Sequence, residues 1–184
     1  MEAYAGGTDL FNDAFGVFVE RHQSALLSFA AAFLRDDSLA QDVVQEAFMR
    51  AARNPARILD AGNHGAGEAD RAGRNWMLKV VRDLSVDSIR RRASERRTVE
   101  RMSSIAPASA PPADQHAEAE EENARVRAAI DRLKPRFREL LFLKVRENKS
   151  YKEIAQIVGL SATNVGFLLH QAMKELGEAL KKSQ

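Results

Sequence analysis

The side chains best suited to chemistry are a run of cations beside one aromatic ring. Between Arg71 and Arg97 stand Arg74, Lys79, Arg82, Arg90, Arg91, Arg92 and Arg96, with the chain's single tryptophan, Trp76, near the start. Phosphates need cations and unstacked bases need a flat apolar partner, so this pairing suits single-stranded DNA. The plainer alternative is a solvated helix face with a tryptophan in the core. A second group carries the opposite sign. Asp42 and Glu46 are four residues apart and share one face of a helix. Like charges at that spacing cost a few tenths of a kcal/mol, which a basic partner would relieve; Arg50, four residues on, offers the same relief from within the chain.

The third group is Tyr151 to His170, which fits a helix-turn-helix position by position. Ile154 and Val158 take the apolar slots of its first helix, Ala155 its small slot and Gly159 its turn, Leu160 follows, and Val165 and Leu168 take the buried slots of its second helix. A small residue lets two helices cross closely, glycine supplies the left-handed conformation that ends the first helix, and Ser161 can cap the second. An ordinary helical hairpin remains the alternative. As a DNA reader, the second helix would present Thr163, Asn164 and Phe167 to the major groove, with His170, Gln171 and Lys174 further along. Asparagine can pair with an adenine edge, and threonine or phenylalanine can meet a thymine methyl. Lys149, Lys152, Arg136 and Arg138 would contact phosphates. Phe167 could equally pack on its own domain, and His170 could be a solvated surface residue.

Other chemistry is poorly supported. Without cysteine there is no disulfide, thiolate metal site or cysteine nucleophile. His22, His64, His116 and His170 are scattered without paired metal-ligand spacing. Gly62, Gly65 and Gly67 follow no strand and fit no phosphate loop. The expectation is therefore no enzyme, no cofactor and no metal.

Across 184 residues the formal charge is only +2, but it is unevenly spread. Residues 1–70 carry net −6, 71–101 net +6, 102–124 net −5 and 125–184 net +7. Alternating blocks imply surfaces for different partners: a polyanion for the basic ones, a basic protein for the acidic amino-terminal one. No apolar run reaches the roughly 20 residues of a membrane span, and the amino terminus shows no signal-peptide pattern. A cytoplasmic location is expected.

The elements that must hold these groups are all helical. Phe15, Phe18, Val19, Leu26, Phe29, Ala30 and Phe33 mark one buried stripe from about Asp13 to Leu34. Ser38 and Gln41 have capping-box spacing and open a second helix that ends near Asn54-Pro55, with Val43, Val44, Ala47, Phe48 and Ala51 inward. Four glycines between Arg57 and Gly73 predict a loop. A third helix follows from about Arg74 to Arg97, with Trp76, Val80, Val81, Leu84 and Ile89 as its apolar positions. An Ala/Ser/Pro-rich stretch from Ser103 to Ala113 predicts a linker. Beyond it, helices are expected from about Glu118, with Val126, Ala129, Ile130 and Leu133 apolar, and from Pro135, with Phe137, Leu140, Leu141, Leu143 and Val145 apolar. The fold class is all-α: two small helical domains joined by a flexible linker, the second containing the helix-turn-helix.

This order of features resembles bacterial sigma factors of the extracytoplasmic-function (ECF) type over about Leu10 to Leu180. The residues carrying it are Ala40-Gln41-Asp42-Val43-Val44-Gln45-Glu46-Ala47-Phe48, then Trp76-Met77-Leu78-Lys79-Val80-Val81-Arg82-Asp83-Leu84-Ser85-Val86-Asp87-Ser88-Ile89-Arg90-Arg91-Arg92, and Ser150-Tyr151-Lys152-Glu153-Ile154-Ala155. The resemblance implies a region 2-like domain over 10–100, an acidic linker over 101–119 and a region 4-like domain over 120–182. It implies that Asp42, Gln45, Glu46 and Met49 dock on core RNA polymerase. Arg74, Asn75, Trp76, Lys79, Arg82, Asp83, Arg90, Arg91 and Arg92 would then meet the single-stranded −10 element. Arg136, Lys149, Lys152, Thr163, Asn164, Phe167, His170, Gln171 and Lys174 would meet the double-stranded −35 element. An anti-sigma factor or other regulator is a further implied partner. Asp83 stands where the family often carries asparagine, and the recognition helix is poorer in cations than is usual. The readings that compete with this one are a stand-alone helix-turn-helix regulator, which would not need the acidic helix, and a helical adaptor.

Overall fold

The computed structural model describes residues 5–54, 56–59, 66–100 and 118–181. The linker expected over 101–119 falls almost wholly outside them. The described residues contain helices and no strand: α1 (Ala5–Leu34), α2 (Asp37–Arg53), α3 (Ala56–Leu59), α4 (Ala66–Glu100), α5 (Glu118–Arg132), α6 (Pro135–Leu141), α7 (Tyr151–Val158) and α8 (Ala162–Lys181), with a π-helical turn over Phe142–Arg146.

α1 begins at Ala5, eight residues before the sequence periodicity becomes visible. Its stripe buries Phe18, Leu26, Phe29, Ala30 and Phe33, and the helix packs on α2 through Val43, Val44, Ala47 and Ala51. The turn between them corrects the expected cap. Arg35 takes a left-handed conformation, Asp36 is extended, and Asp36 Oδ1 accepts the Leu39 N–H at 2.9 Å. Asp36, not Ser38, is the N-cap of α2, and it satisfies the orphan N–H of the helix's third residue.

The expected loop over Arg57 to Gly73 is corrected as well, because α3 and the first turns of α4 lie within it. Gly73 is there for space. A Cβ would stand 3.0 Å from the Ile58 carbonyl oxygen and 3.2 Å from Phe18 Cε2, so glycine allows α4 to come close to α1 and α3.

The inward face of α4 is only partly the one expected, since Val81 alone of the expected positions is buried. Met77, Leu78 and Val81 are buried with Ser85 and Ser88, whereas Trp76, Val80 and Leu84 are half-buried and Ile89 is exposed. Ser85 hides its polarity by donating its hydroxyl to the Val81 carbonyl at 2.8 Å. A serine satisfied this way can occupy a core position that a hydropathy pattern assigns to the surface.

In the carboxy-terminal helices, α5 and α6 pack on α8. Pro135 opens α6 at a position where no N–H is needed. Leu140, Leu141 and Leu143 are buried, but Val145 is 74% exposed, which corrects its expected core position. The π-helical turn lengthens the repeat to i→i+5, so the three-and-four spacing that counted Val145 inward no longer applies.

Candidate nucleic-acid interface

The helix-turn-helix forms as its spacing requires. Ser150 and Glu153 make a reciprocal capping box at the start of α7. The Ser150 N–H donates to Glu153 Oε2 at 2.9 Å, and the Glu153 N–H donates to Ser150 Oγ at 3.3 Å. The Ser-x-x-Glu spacing at positions 150–153 is the sequence signal for this cap. Gly159 has φ +70, and Ser161 Oγ accepts the Asn164 N–H at 3.2 Å to cap α8. Ile154, Ala155, Val158 and Val165 are buried as expected. The remaining core slot belongs to Leu169, with Leu168 only half-buried.

Burial of Val165, Leu169 and Ala172 turns the other side of α8 outward. Thr163, Asn164, His170 and Lys174 are exposed, Gln171 is half-exposed, and Phe167 is 61% exposed. An aromatic ring that open to water is not serving its own core, which decides the alternative left open by the sequence. Arg136 and Lys152 are exposed too.

Two expected phosphate contacts are corrected. Lys149 is 5% exposed, in a segment where its N–H donates to the Leu143 carbonyl and its own carbonyl accepts from Lys144 Nζ. Arg138 is 6% exposed, and its Nη1 donates to the carbonyls of Asp131 at 3.1 Å and Leu133 at 2.9 Å. It closes the carboxy-terminal end of α5.

In α4, Arg74, Asn75 and Arg82 are half-buried, while Lys79, Asp83, Arg90, Arg91 and Arg92 are exposed. Trp76 lines a cleft of about 360 Å³ together with Val80 and Asp83 of α4 and Arg50, Arg53 and Asn54 of α2. Asp83 Oδ1 accepts from Arg82 Nη1 at 3.0 Å. The chain thus brings an aromatic ring, cations and a carboxylate to one opening.

On α2, Asp42, Gln45 and Met49 are exposed and Glu46 half-exposed. Glu46 Oε1 accepts from Arg50 Nε at 2.8 Å, so the internal relief considered above is realised for Glu46. Phe15, Leu27, Val44, Phe48 and Met49 line a neighbouring cleft of about 550 Å³.

Below these surfaces, Asp70 Oδ1 receives both Arg21 Nη1 and His22 Nε2 at 2.9 Å. Burial works to raise the Asp70 pKa, but the hydrogen bonds and positive charge of His22 and Arg21 outweigh it and hold the carboxyl below its ordinary value. Among the described residues, no group of three or more His, Asp or Glu could hold a metal ion, and no helix is long and apolar enough to cross a membrane.

Comparison with known proteins gives two family matches, Sigma-70 region 2 over residues 18–64 and Sigma-70 region 4 over residues 123–176. The chain is 25% identical to RNA polymerase sigma factor CarQ of Myxococcus xanthus, covering 98% of this chain and 95% of that one. It is 30% identical to the probable ECF sigma factor SigI of Mycobacterium tuberculosis and 29% identical to the probable sigma factor RfaY of Xanthomonas campestris, over 86% of this chain in each case. It spans only 52% and 38% of their lengths. Among solved structures, the fold matches the sigma factor RpoE of Bartonella quintana, crystallised with the anti-sigma factor NepR. The TM-score is 0.69 at 21% identity, covering 93% of this chain and 99% of that one.

Proposed function

Because the chain belongs to the sigma-70 family, as a sigma factor of the ECF type, we propose that it joins core RNA polymerase and directs it to a limited set of promoters. It performs no bond chemistry. It lends the polymerase sequence specificity and favours the melted state by holding unpaired bases. The work is divided along the chain: residues 10–100 dock on the polymerase and take the −10 element, 101–119 connect, and 120–182 read the −35 element.

Asp42, Gln45, Glu46 and Met49 form the docking face. Trp76 and the cations of α4 meet the opened strand. Thr163, Asn164 and Phe167 enter the major groove, with Arg136, Lys152 and Lys174 toward phosphates. An anti-sigma partner covering these surfaces restrains the free factor in the cytoplasm.

The observation that carries this reading is the presence of region 2 and region 4 in that order within one chain. A stand-alone regulator would have no use for the first. In vitro transcription from the gene's own upstream DNA tests it: chain plus core enzyme should initiate at a defined start, and no initiation above core enzyme alone, with folded protein, overturns it.

A further inference from the structure

The cleft between α2 and α4 holds a combination of groups that a merely solvated helix face does not require. Trp76 offers a ring, Val80 an apolar wall, Arg53 positive charge beside an Arg50 whose Nε is bonded to Glu46, and Asp83 a carboxylate at the opening. The first four would suit any nucleotide, since every base has a π-face and every phosphate a charge. Asp83 discriminates. An ionised carboxylate only accepts hydrogen bonds, through two oxygens side by side. The Watson–Crick edges of adenine and cytosine each place a ring acceptor beside their amino donor, so a carboxylate gains one bond there and meets a repelling lone pair. Thymine offers one donor between two carbonyls. Guanine alone presents two adjacent donors, N1–H and the 2-amino group, which match a carboxylate bidentately.

Building on the sigma-factor reading above, we propose that this cleft takes one unstacked guanine of the opened strand, with Asp83 reading its N1–H and 2-amino edge. Arg82 orients the carboxylate through Oδ1, and each carboxylate oxygen has a second lone pair for the base. Because Asp83 is half-exposed, the reading edge lies at the mouth of the cleft, where a strand drawn past α4 can present a base.

Trp76 is the chain's only tryptophan, so its fluorescence reports the cleft directly. The full chain is titrated with a strand of twelve thymidines carrying one central deoxyguanosine, deoxyadenosine, deoxycytidine or deoxyinosine, or left unchanged. The guanine strand should quench Trp76 and bind at least about tenfold more tightly than the all-thymidine strand, the discrimination of one bidentate pair. Inosine, which lacks the 2-amino group, should lose most of that gain. Asp83→Asn is isosteric and exposed, and should abolish the ranking while leaving helicity unchanged. Equal binding of all five strands, or an unchanged ranking in Asp83→Asn, overturns the guanine assignment. If the chain still drives initiation with core enzyme, only this assignment falls; if it neither initiates nor binds any strand, the sigma-factor reading falls with it.

Discussion

His22 Nε2 and Asp70 Oδ1 lie 2.9 Å apart, joining α1 to α4 six residues before Trp76. His22 is 2% exposed, and Arg21 adds a second bond to the same oxygen. The link helps set the position of α4, and with it the cleft and the cationic surface.

Asp70→Asn should therefore destabilise the amino-terminal helices by up to about 1.5–3 kcal/mol, the range for hydrogen bonds to a charged group. The Asp70 pKa is lowered on folding, so its contribution is complete above the unfolded value of about 3.9 and is lost as pH falls through the folded value. Urea unfolding should show the full deficit at neutral pH and a deficit that closes in acid below about pH 4. A pH-independent deficit would assign the effect to packing alone.

Reversal of Asp42 and Glu46 to lysine should abolish capture of core polymerase while leaving helicity intact. Asp42 is exposed, and the surface pair of Glu46 with Arg50 is worth only about 0.3–0.5 kcal/mol. Pull-down with purified core enzyme measures it, and undiminished capture would move the docking face elsewhere.

On α8, Asn164→Ala should relax preference at one upstream base by about 1–3 kcal/mol. Phe167→Ala should remove sensitivity to replacing thymine by uracil at a neighbouring position, since only the methyl differs. Gel-shift titration across single-base variants reads both. A uniform loss at every position would mean that these side chains position the helix instead of reading sequence.

Changing Arg90, Arg91 and Arg92 together to alanine should weaken promoter opening and flatten the salt dependence of binding. Each lost phosphate contact lowers the slope of log affinity against log salt by about 0.7–0.9. An unchanged slope would take that stretch of α4 off the DNA surface.

Residue types and spacings by themselves determined the helical class, the helix-turn-helix frame and the resemblance to the family. Those signals are local: a glycine at a left-handed turn, a serine three residues before an N–H, and apolar side chains recurring with the helical period all act within a few residues. Only the tertiary structure decided what depended on distant neighbours. Gly73 reads as a loop residue until Phe18 and Ile58 close around it. Ser85 reads as surface until packing buries it, its hydroxyl already satisfied by the Val81 carbonyl. Arg138 and Lys149 read as phosphate contacts until burial removes them. Asp83 reads as a departure from the family until Trp76, Arg50 and Arg53 stand around the same cleft. Charge and hydropathy are properties of a residue, whereas accessibility belongs to the fold around it, and binding at a surface needs both.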